Sequence, residues 1–331
     1  MKLIEVKNLK VYFTVRPSIF SKKKIVKAVD GVDLSIGEGE ILTLVGESGC
    51  GKTTLGKAIA GLVKPTSGKI LFKGKDLTEL SKREFLEYRR SVQIVHQDPY
   101  ASLNPTKSVF QILSFPLVRW RIVKSRSELR DKVKELLELV GLTPPEEFIN
   151  KYPHQLSGGQ RQRVAIARAI SVNPKVIVAD EPITMIDVSL RLGILDLMLD
   201  LRKRLGTAYL FITHDFGAAR YFSAKGGGKI AVMYLGKIIE MGPAEEVIFN
   251  PLHPYTQALL SAVPVPDPEI SRKKKPLKLR SLDIPSPLNP PPGCKFHTRC
   301  PYYMSRCAKE EPPLIEVKSQ HYVACWLYVK R

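Results

Sequence analysis

The stretch GESGCGKTT, residues 46–54, constrains this chain more than any other. Gly46, Gly51, Lys52 and Thr53 satisfy the pattern G-x-x-x-x-G-K-[ST], and the flanks supply the context that pattern needs. ILTLVG, residues 41–46, is a β-branched and aliphatic run ending in glycine, as a buried strand does. TTLGKAIAGL, residues 53–62, places Leu55, Ala58, Ile59 and Leu62 at helical spacing. A glycine loop between a strand and a helix lets successive backbone N–H groups curl around phosphates. The helix start adds about half a positive charge, Lys52 is placed to reach the β and γ oxygens, and Thr53 to ligate Mg2+.

Two further features fit the first. In VIVADEP, residues 176–182, Asp180 ends a buried strand where it can hold Mg2+ through water. Glu181 follows directly and is placed to orient and deprotonate an attacking water. AYLFIT, residues 208–213, is another continuous apolar run suited to the middle of a parallel sheet, and the helical SLRLGILDLMLDLRKRLG separates the two. In LSGGQRQR, residues 156–163, two adjacent glycines open a second helix, the arrangement of a phosphate site, although one phosphate loop already exists. Arg161, Arg163 and Arg168 continue that helix and read as solvated or interface charge. From 106 to 170 the pattern is helical, with Ser125 and Glu128 as a capping box, Leu129, Val133, Leu136, Leu137 and Val140 on one face, and Gly141 as the stop.

Length and composition bound the rest. The 331 residues, 44% hydrophobic, are enough for a full core plus a second domain or appendage. No stretch approaches the roughly 18 apolar residues of a membrane span, and MKLIEVKNLK lacks the apolar centre of a signal peptide, so the chain is expected to remain in the cytosol. A formal charge of +20 favours anionic partners without choosing among nucleotide, acidic lipid and nucleic acid. The basic runs SKKKIVK (21–27) and SRKKKPLKLR (271–280) read as solvated loops. Beyond Phe249 the texture turns proline-rich, and the tail reads as an extended appendage without an obvious core of its own.

Four of the five cysteines, Cys294, Cys300, Cys307 and Cys325, crowd that tail. Free thiols, disulfides and a metal compete as readings. Disulfides are out of place in a cytosolic protein unless its source is a hyperthermophile. Structural zinc favours closely spaced C-x2–4-C pairs, which are absent here, whereas four thiolates at wider spacing suit a [4Fe–4S] cluster. His297 and His321 lie nearby in sequence as substitute ligands or structural residues.

From about Val6 to Leu260 the chain resembles the ATP-binding subunit of an ABC transporter. The resemblance rests on GESGCGKTT, QIVHQDPYASLNP, LSGGQRQR, VIVADEP and FITHD, in that order. It implies a RecA-like α/β P-loop ATPase core with a small antiparallel N-terminal β part, over 1–105 and 171–249, an inserted helical subdomain over 106–170, and an extension over 250–331. By the resemblance Gly46, Ser48, Gly49, Cys50, Gly51, Lys52, Thr53 and Thr54 contact ATP. Gln97 touches Mg2+ or the water, alongside Thr53 and Asp180, and His214 hydrogen-bonds the γ-phosphate. The second glycine helix finds its ligand the same way: two ATPase subunits pack head to tail, and Ser157, Gly158, Gly159, Gln160 and Asp187 serve nucleotide held by the partner. Adenine stacking falls to Phe13, with Tyr12 as the fallback on the opposite strand face. ITMID (183–187) departs from the family's TSALD by enlarging the alanine position to Met185.

NPLHPYTQALLSAVPVPDP (250–268) and GCKFHTRCPYYMSRC resemble the tails of dipeptide and oligopeptide importer ATPases, some of whose kin move oligosaccharides. That likeness ranks [4Fe–4S] first, zinc second and free thiols third. It also implies a second ATPase subunit (a copy or a paralogue), two membrane permeases, an extracellular binding protein met only indirectly, and a peripheral place on the cytoplasmic face of the membrane. Permease contact is expected on the helical subdomain just after Gln97. The rival reading is an ABC ATPase acting on nucleic acid or ribosomes; such chains usually carry two cassettes, and this one carries one, so no nucleic acid is expected.

Overall fold

A computed structural model describes residues 2–16, 23–263 and 277–329, so both basic runs lie partly outside the described residues. The strands among them are β1 (Lys2–Val15), β2 (Lys24–Gly37), β3 (Ile41–Val45), β4 (Ser67–Phe72), β5 (Lys75–Asp76), β6 (Val92–Val95), β7 (Val176–Asp180), β8 (Ala208–Thr213), β9 (Lys229–Tyr234), β10 (Lys237–Pro243), β11 (Ile315–Lys318) and β12 (His321–Val323). The chain divides into two compact units, one of residues 1–3, 36–40 and 77–212, the other of residues 4–35, 41–76 and 213–331.

In the first unit β6, β7 and β8 run parallel in that order, with Val92 opposite Val176 and Val176 opposite Ala208. Every residue of β7 and β8 is buried. Burial on both faces is why VIVAD and AYLFIT are unbroken apolar runs rather than alternating ones. The helix Val188–Leu205 joins the two strands and stops at Gly206, whose φ of 65° is the left-handed turn glycine tolerates. Helices Val109–Arg119, Arg126–Leu139, Pro145–Ile149 and Gly158–Ile170 pack together over Val133, Leu137 and Val140, all fully buried. Only half of the expected capping box forms at Ser125. Its hydroxyl accepts from the Glu128 N–H at 3.1 Å, but the Glu128 carboxylate accepts from the Lys124 N–H instead.

Of the three arginines expected as solvated or interface charge, Arg161 is buried and Arg163 and Arg168 are half-buried, each spending its guanidinium on a backbone carbonyl. Arg161 is 6% exposed, donates through Nε to the Pro153 carbonyl at 2.5 Å and lies 3.7 Å from the Tyr100 ring centroid. Arg163 donates to the Val140 carbonyl at 2.5 Å, and Arg168 to that of Ser102 at 2.6 Å. Val140 and Ser102 sit at the carboxyl ends of helices, where carbonyls lack intrahelical donors, and a long guanidinium stem is what reaches them. Burial lowers the pKa of all three, though not enough to threaten a guanidinium's charge.

The second unit holds two sheets. One has the order β2-β1-β4-β5, with β1–β4 and β4–β5 antiparallel. The other runs β11-β12-β10-β9-β3, antiparallel except for the parallel step from β9 to β3. The tail is therefore not a coreless appendage: its hairpin, β11 and β12, extends this sheet at β10, with Val323 opposite Glu240. Phe296 and Cys300 are buried in one cluster with Val45, Val232, Tyr234 and Tyr255, so the tail shares a core instead of building one. That sharing is what a four-residue strand, a three-residue strand and short turns cannot signal by periodicity.

Candidate functional site

In the second unit β3 runs into the glycine loop, and the helix Lys52–Ile59 leaves it. Gly51 caps that helix with φ 108°, and a Cβ there would stand 2.0 Å from the Ala28 carbonyl. At Gly46 a Cβ would meet the Met233 carbonyl at 2.2 Å. Glycine is thus demanded at both fixed points of the motif by close backbone approach. Ser48 and Gly49, between them, are exposed. Lys52 is 4% exposed, and its Nζ donates to the carbonyls of Gly46 at 2.8 Å and Glu47 at 2.9 Å. The ammonium is held over the loop by two acceptors that a phosphate oxygen can outcompete, since an ionised acceptor makes the stronger bond. Cys50 is buried beneath, its thiol pushed up by desolvation, and its carbonyl accepts from the Gly236 N–H at 2.9 Å, which ties the loop to the turn between β9 and β10. Thr53 and Thr54 open the helix, half-buried.

His214 belongs to the same unit and is exposed, just after Thr213, whose hydroxyl accepts from the Asp215 N–H at 3.0 Å. Asp215 in turn caps the helix Phe216–Gly226. Phe13 is 41% exposed near the end of β1. Tyr12 faces the other way and spends its hydroxyl on Asp30, whose ionised carboxylate accepts it. Burial and that bond raise the Tyr12 pKa to about 12. Of the two aromatics, Phe13 presents the free ring.

The first unit carries the acids. Asp180 is 4% exposed at the end of β7, and the register of β6 on β7 (Val95 opposite Ala179) sets Gln97, two residues past β6, at the same carboxyl edge. Glu181 has φ 48°, a left-handed backbone uncommon for a non-glycine residue. Its N–H donates to the Ile212 carbonyl at 2.9 Å, and its Oε2 accepts from the Thr184 hydroxyl at 3.2 Å. Thr184, which the motif reading passed over, thereby orients the candidate base. Sequence alone offered no signal for it beyond a threonine three residues on.

Also in the first unit, Ser157 caps the helix Gly158–Ile170. Its hydroxyl accepts from the Gln160 N–H at 3.2 Å, while the Gln160 amide oxygen accepts from the Ser157 N–H at 3.0 Å, a complete capping box. A Cβ at Gly158 would stand 3.4 Å from the Met185 carbonyl, and one at Gly159 would stand 3.5 Å from Leu190. The glycine helix thus begins against the 183–190 segment. Asp187, exposed, precedes the helix Val188–Leu205 without capping it through its side chain.

The tail cysteines do not bear out the metal expectation. Among the described residues no three His, Cys, Asp or Glu side chains are grouped so as to hold a metal ion, and all four thiols are free. Cys294 and Cys300 pack in the Phe296–Tyr234 cluster, Cys325 beside Leu252 and Val323. Burial, reinforced by the neighbouring cysteines, pushes Cys294 up to about 12 and Cys325 to about 11. His321 is committed elsewhere: its Nε2 pairs with the fully buried Glu240 at 2.8 Å. His297 places Nδ1 2.8 Å from the Cys294 carbonyl.

Comparison with known proteins follows these features closely. The ABC transporter family matches residues 29–184, and the oligopeptide/dipeptide transporter C-terminal region matches residues 239–307. The oligopeptide transport ATP-binding protein OppF of Salmonella typhimurium is 45% identical over 98% of this chain and 95% of its own. AppF of Bacillus subtilis, of the same description, is 46% identical over 98% and 97%. Among solved structures, a dimeric post-hydrolysis state of the ATP-binding cassette MJ0796 with ADP and Pi superposes with a TM-score of 0.62 at 30% identity, covering 73% of this chain and 98% of that one. Given a phosphate loop, an acid pair and a serine-capped helix opening on two glycines within full-length likeness to such proteins, the chain belongs to the ABC transporter ATP-binding family, with the oligopeptide/dipeptide transporter C-terminal region as its tail.

Proposed function

We propose that the protein is the ATP-hydrolysing subunit of a di- or oligopeptide importer. The observation that carries the ATPase reading is the phosphate loop, whose Gly46 and Gly51 admit no side chain and whose Lys52 is poised over it on two replaceable carbonyls. The cargo class is supported by the tail family and by the names of the full-length relatives. ATP would lie on residues 46–54 with its adenine on Phe13. Thr53, Gln97 and Asp180 would hold Mg2+, which supplies charge neutralisation at the phosphates. Glu181, aligned by Thr184, takes the proton of the attacking water, and His214 steadies the γ-phosphate. Ser157, Gly158, Gly159, Gln160 and Asp187 would complete the site of a second ATPase subunit.

The functional division of 1–105 with 171–249 as ATP-binding core, 106–170 as signature subdomain and 250–331 as importer extension follows the same reading. No described helix is long and apolar enough to cross a membrane, so permease partners would supply the path and this subunit the energy, from the cytoplasmic face. A [4Fe–4S] cluster on the tail cysteines rests on their spacing and the resemblance alone; iron and sulfide analysis of anaerobically purified protein tests it, and their absence leaves the thiols as packing groups.

Sharing of the site tests the whole reading. MgATP hydrolysis per molecule should rise with protein concentration, and Ser157→Arg should silence the partner's nucleotide while leaving binding at its own phosphate loop intact. Activity that is flat on dilution, with a normal Ser157→Arg variant, would defeat the head-to-tail assignment. Loss of labelled peptide uptake, with oligosaccharide uptake retained, in cells lacking the protein fixes the cargo class.

A further inference from the structure

Glu47 occupies a variable position of the phosphate-loop pattern, and the chemistry of the loop asks for no carboxylate there. Beside bound phosphates a bare carboxylate is a liability, because like charges repel. The structure shows where that charge is spent. Arg299, from the cysteine-bearing tail, grips it at two points, Nη1 to Oε2 at 2.8 Å and Nη2 to Oε1 at 3.0 Å. The Arg299 side chain is only 6% exposed, the Glu47 side chain 20%. Arg299 also lies over the rings of Tyr234 and Phe296, at 5.8 and 5.6 Å, which fix the guanidinium plane. A second tether comes from Tyr255, whose hydroxyl accepts from the Glu47 N–H at 2.9 Å. The Glu47 carbonyl is one of the two acceptors that hold Lys52. Side chain, amide and carbonyl of one loop residue thus join the C-terminal segment to the lysine that meets the phosphates.

We propose that Arg299 is a positioning residue for the phosphate loop: by neutralising and anchoring Glu47, the tail sets the loop's charge and shape for a nucleoside triphosphate. The inference rests on the ATP reading of the loop and extends it to a region outside every ATPase motif. Its chemistry makes two distinct demands. Without Arg299 the Glu47 carboxylate is left uncompensated near the phosphates, so affinity should fall more for ATP than for ADP. Removing that carboxylate as well should then restore binding, an outcome that mere loss of packing would not produce.

Dissociation constants for MgATP and MgADP, measured on the full chain by titration calorimetry, test this. Arg299→Gln should weaken MgATP about tenfold, equivalent to about 1.4 kcal/mol, and MgADP by less. The double variant Glu47→Gln/Arg299→Gln should recover to within about threefold of wild type, and Arg299→Lys, which keeps the charge and loses the two-point grip, should fall between. Near-wild-type affinity in Arg299→Gln, or a double variant no better than the single, overturns the proposal. If Arg299→Gln does not fold, Arg299→Lys carries the test, and unchanged MgATP affinity in it overturns the proposal equally. A wild-type chain that binds no MgATP overturns the ATP reading itself, an outcome distinct from wild-type binding with indifferent variants.

Discussion

Glu181, the proposed general base, shows how little of such a residue's readiness would reside in its identity. A carboxylate after a buried aspartate is common enough; what equips this one is a left-handed backbone, an N–H tied to Ile212 and an oxygen held by the Thr184 hydroxyl. A base must be aimed before its basicity matters. Glu181→Gln keeps the shape and the Thr184 bond but cannot take a proton, so steady-state ATP turnover should fall by about 10²-fold or more while MgATP still binds. Turnover near the wild-type rate would remove Glu181 from the mechanism.

At the scale of elements, the helix Gly158–Ile170 bears two burdens. Its cap Ser157 is exposed, with Gly158 and Gln160 half-buried behind it, while its body is fastened by three arginines to the carbonyls of Pro153, Val140 and Ser102. Arg161→Leu keeps much of the stem but removes the guanidinium's bond to the Pro153 carbonyl, which is left with only the Leu156 N–H, and its stack on the Tyr100 ring, and should cost about 1–3 kcal/mol of stability, read as a lower urea midpoint. By contrast Gln162, fully buried in the same helix, has neither amide atom hydrogen-bonded among the described residues. Gln162→Met of similar volume should therefore be neutral or stabilising by up to about 1 kcal/mol. A loss of stability in Gln162→Met as large as that in Arg161→Leu would show that the amide does have a partner.

For the whole molecule, the carboxyl-terminal segment carries an acid sensitivity. His253 is buried, its Nδ1 accepts from the Tyr255 N–H at 3.0 Å, and its Nε2 has no partner among the described residues. Desolvation lowers its pKa from 6.5 to about 4, against a smaller opposing pull from Glu240. Because the folded pKa lies below the unfolded one, the unfolded chain binds the extra proton between those values. This group's contribution is complete above pH 6.5 and is lost as pH falls toward 4, by on the order of 3 kcal/mol in all. His253→Asn, which can still accept from the Tyr255 N–H but does not titrate, should flatten the fall in chemical-denaturation stability between pH 6.5 and 4. An unchanged slope would assign the acid sensitivity to other groups.

Much of this protein was legible in its residues because the chemistry of phosphate binding needs particular side chains at particular spacings. Glycines 46 and 51, Lys52, Asp180 and the Gly158–Gly159 helix start could be read off directly, and so could the buried strands, since a strand covered on both faces must be apolar throughout. Contacts between distant segments left no such trace. A tail rich in proline looked coreless, yet Phe296 and Cys300 share the core of β9 and the 254–262 helix. Three arginines looked like solvated or interface charge because their charge is visible in sequence and the backbone carbonyls they bond are not. Four cysteines at cluster-like spacing implied a metal, but spacing counts residues and does not set a ligand geometry: the fold brings the four thiols near one another, yet among the described residues no group of three His, Cys, Asp or Glu stands arranged to hold a metal ion. The pairing of Glu47 with Arg299 spans 252 residues. Local pattern encodes what neighbours along the chain must do; only the folded backbone decides which remote charge ends up opposite which.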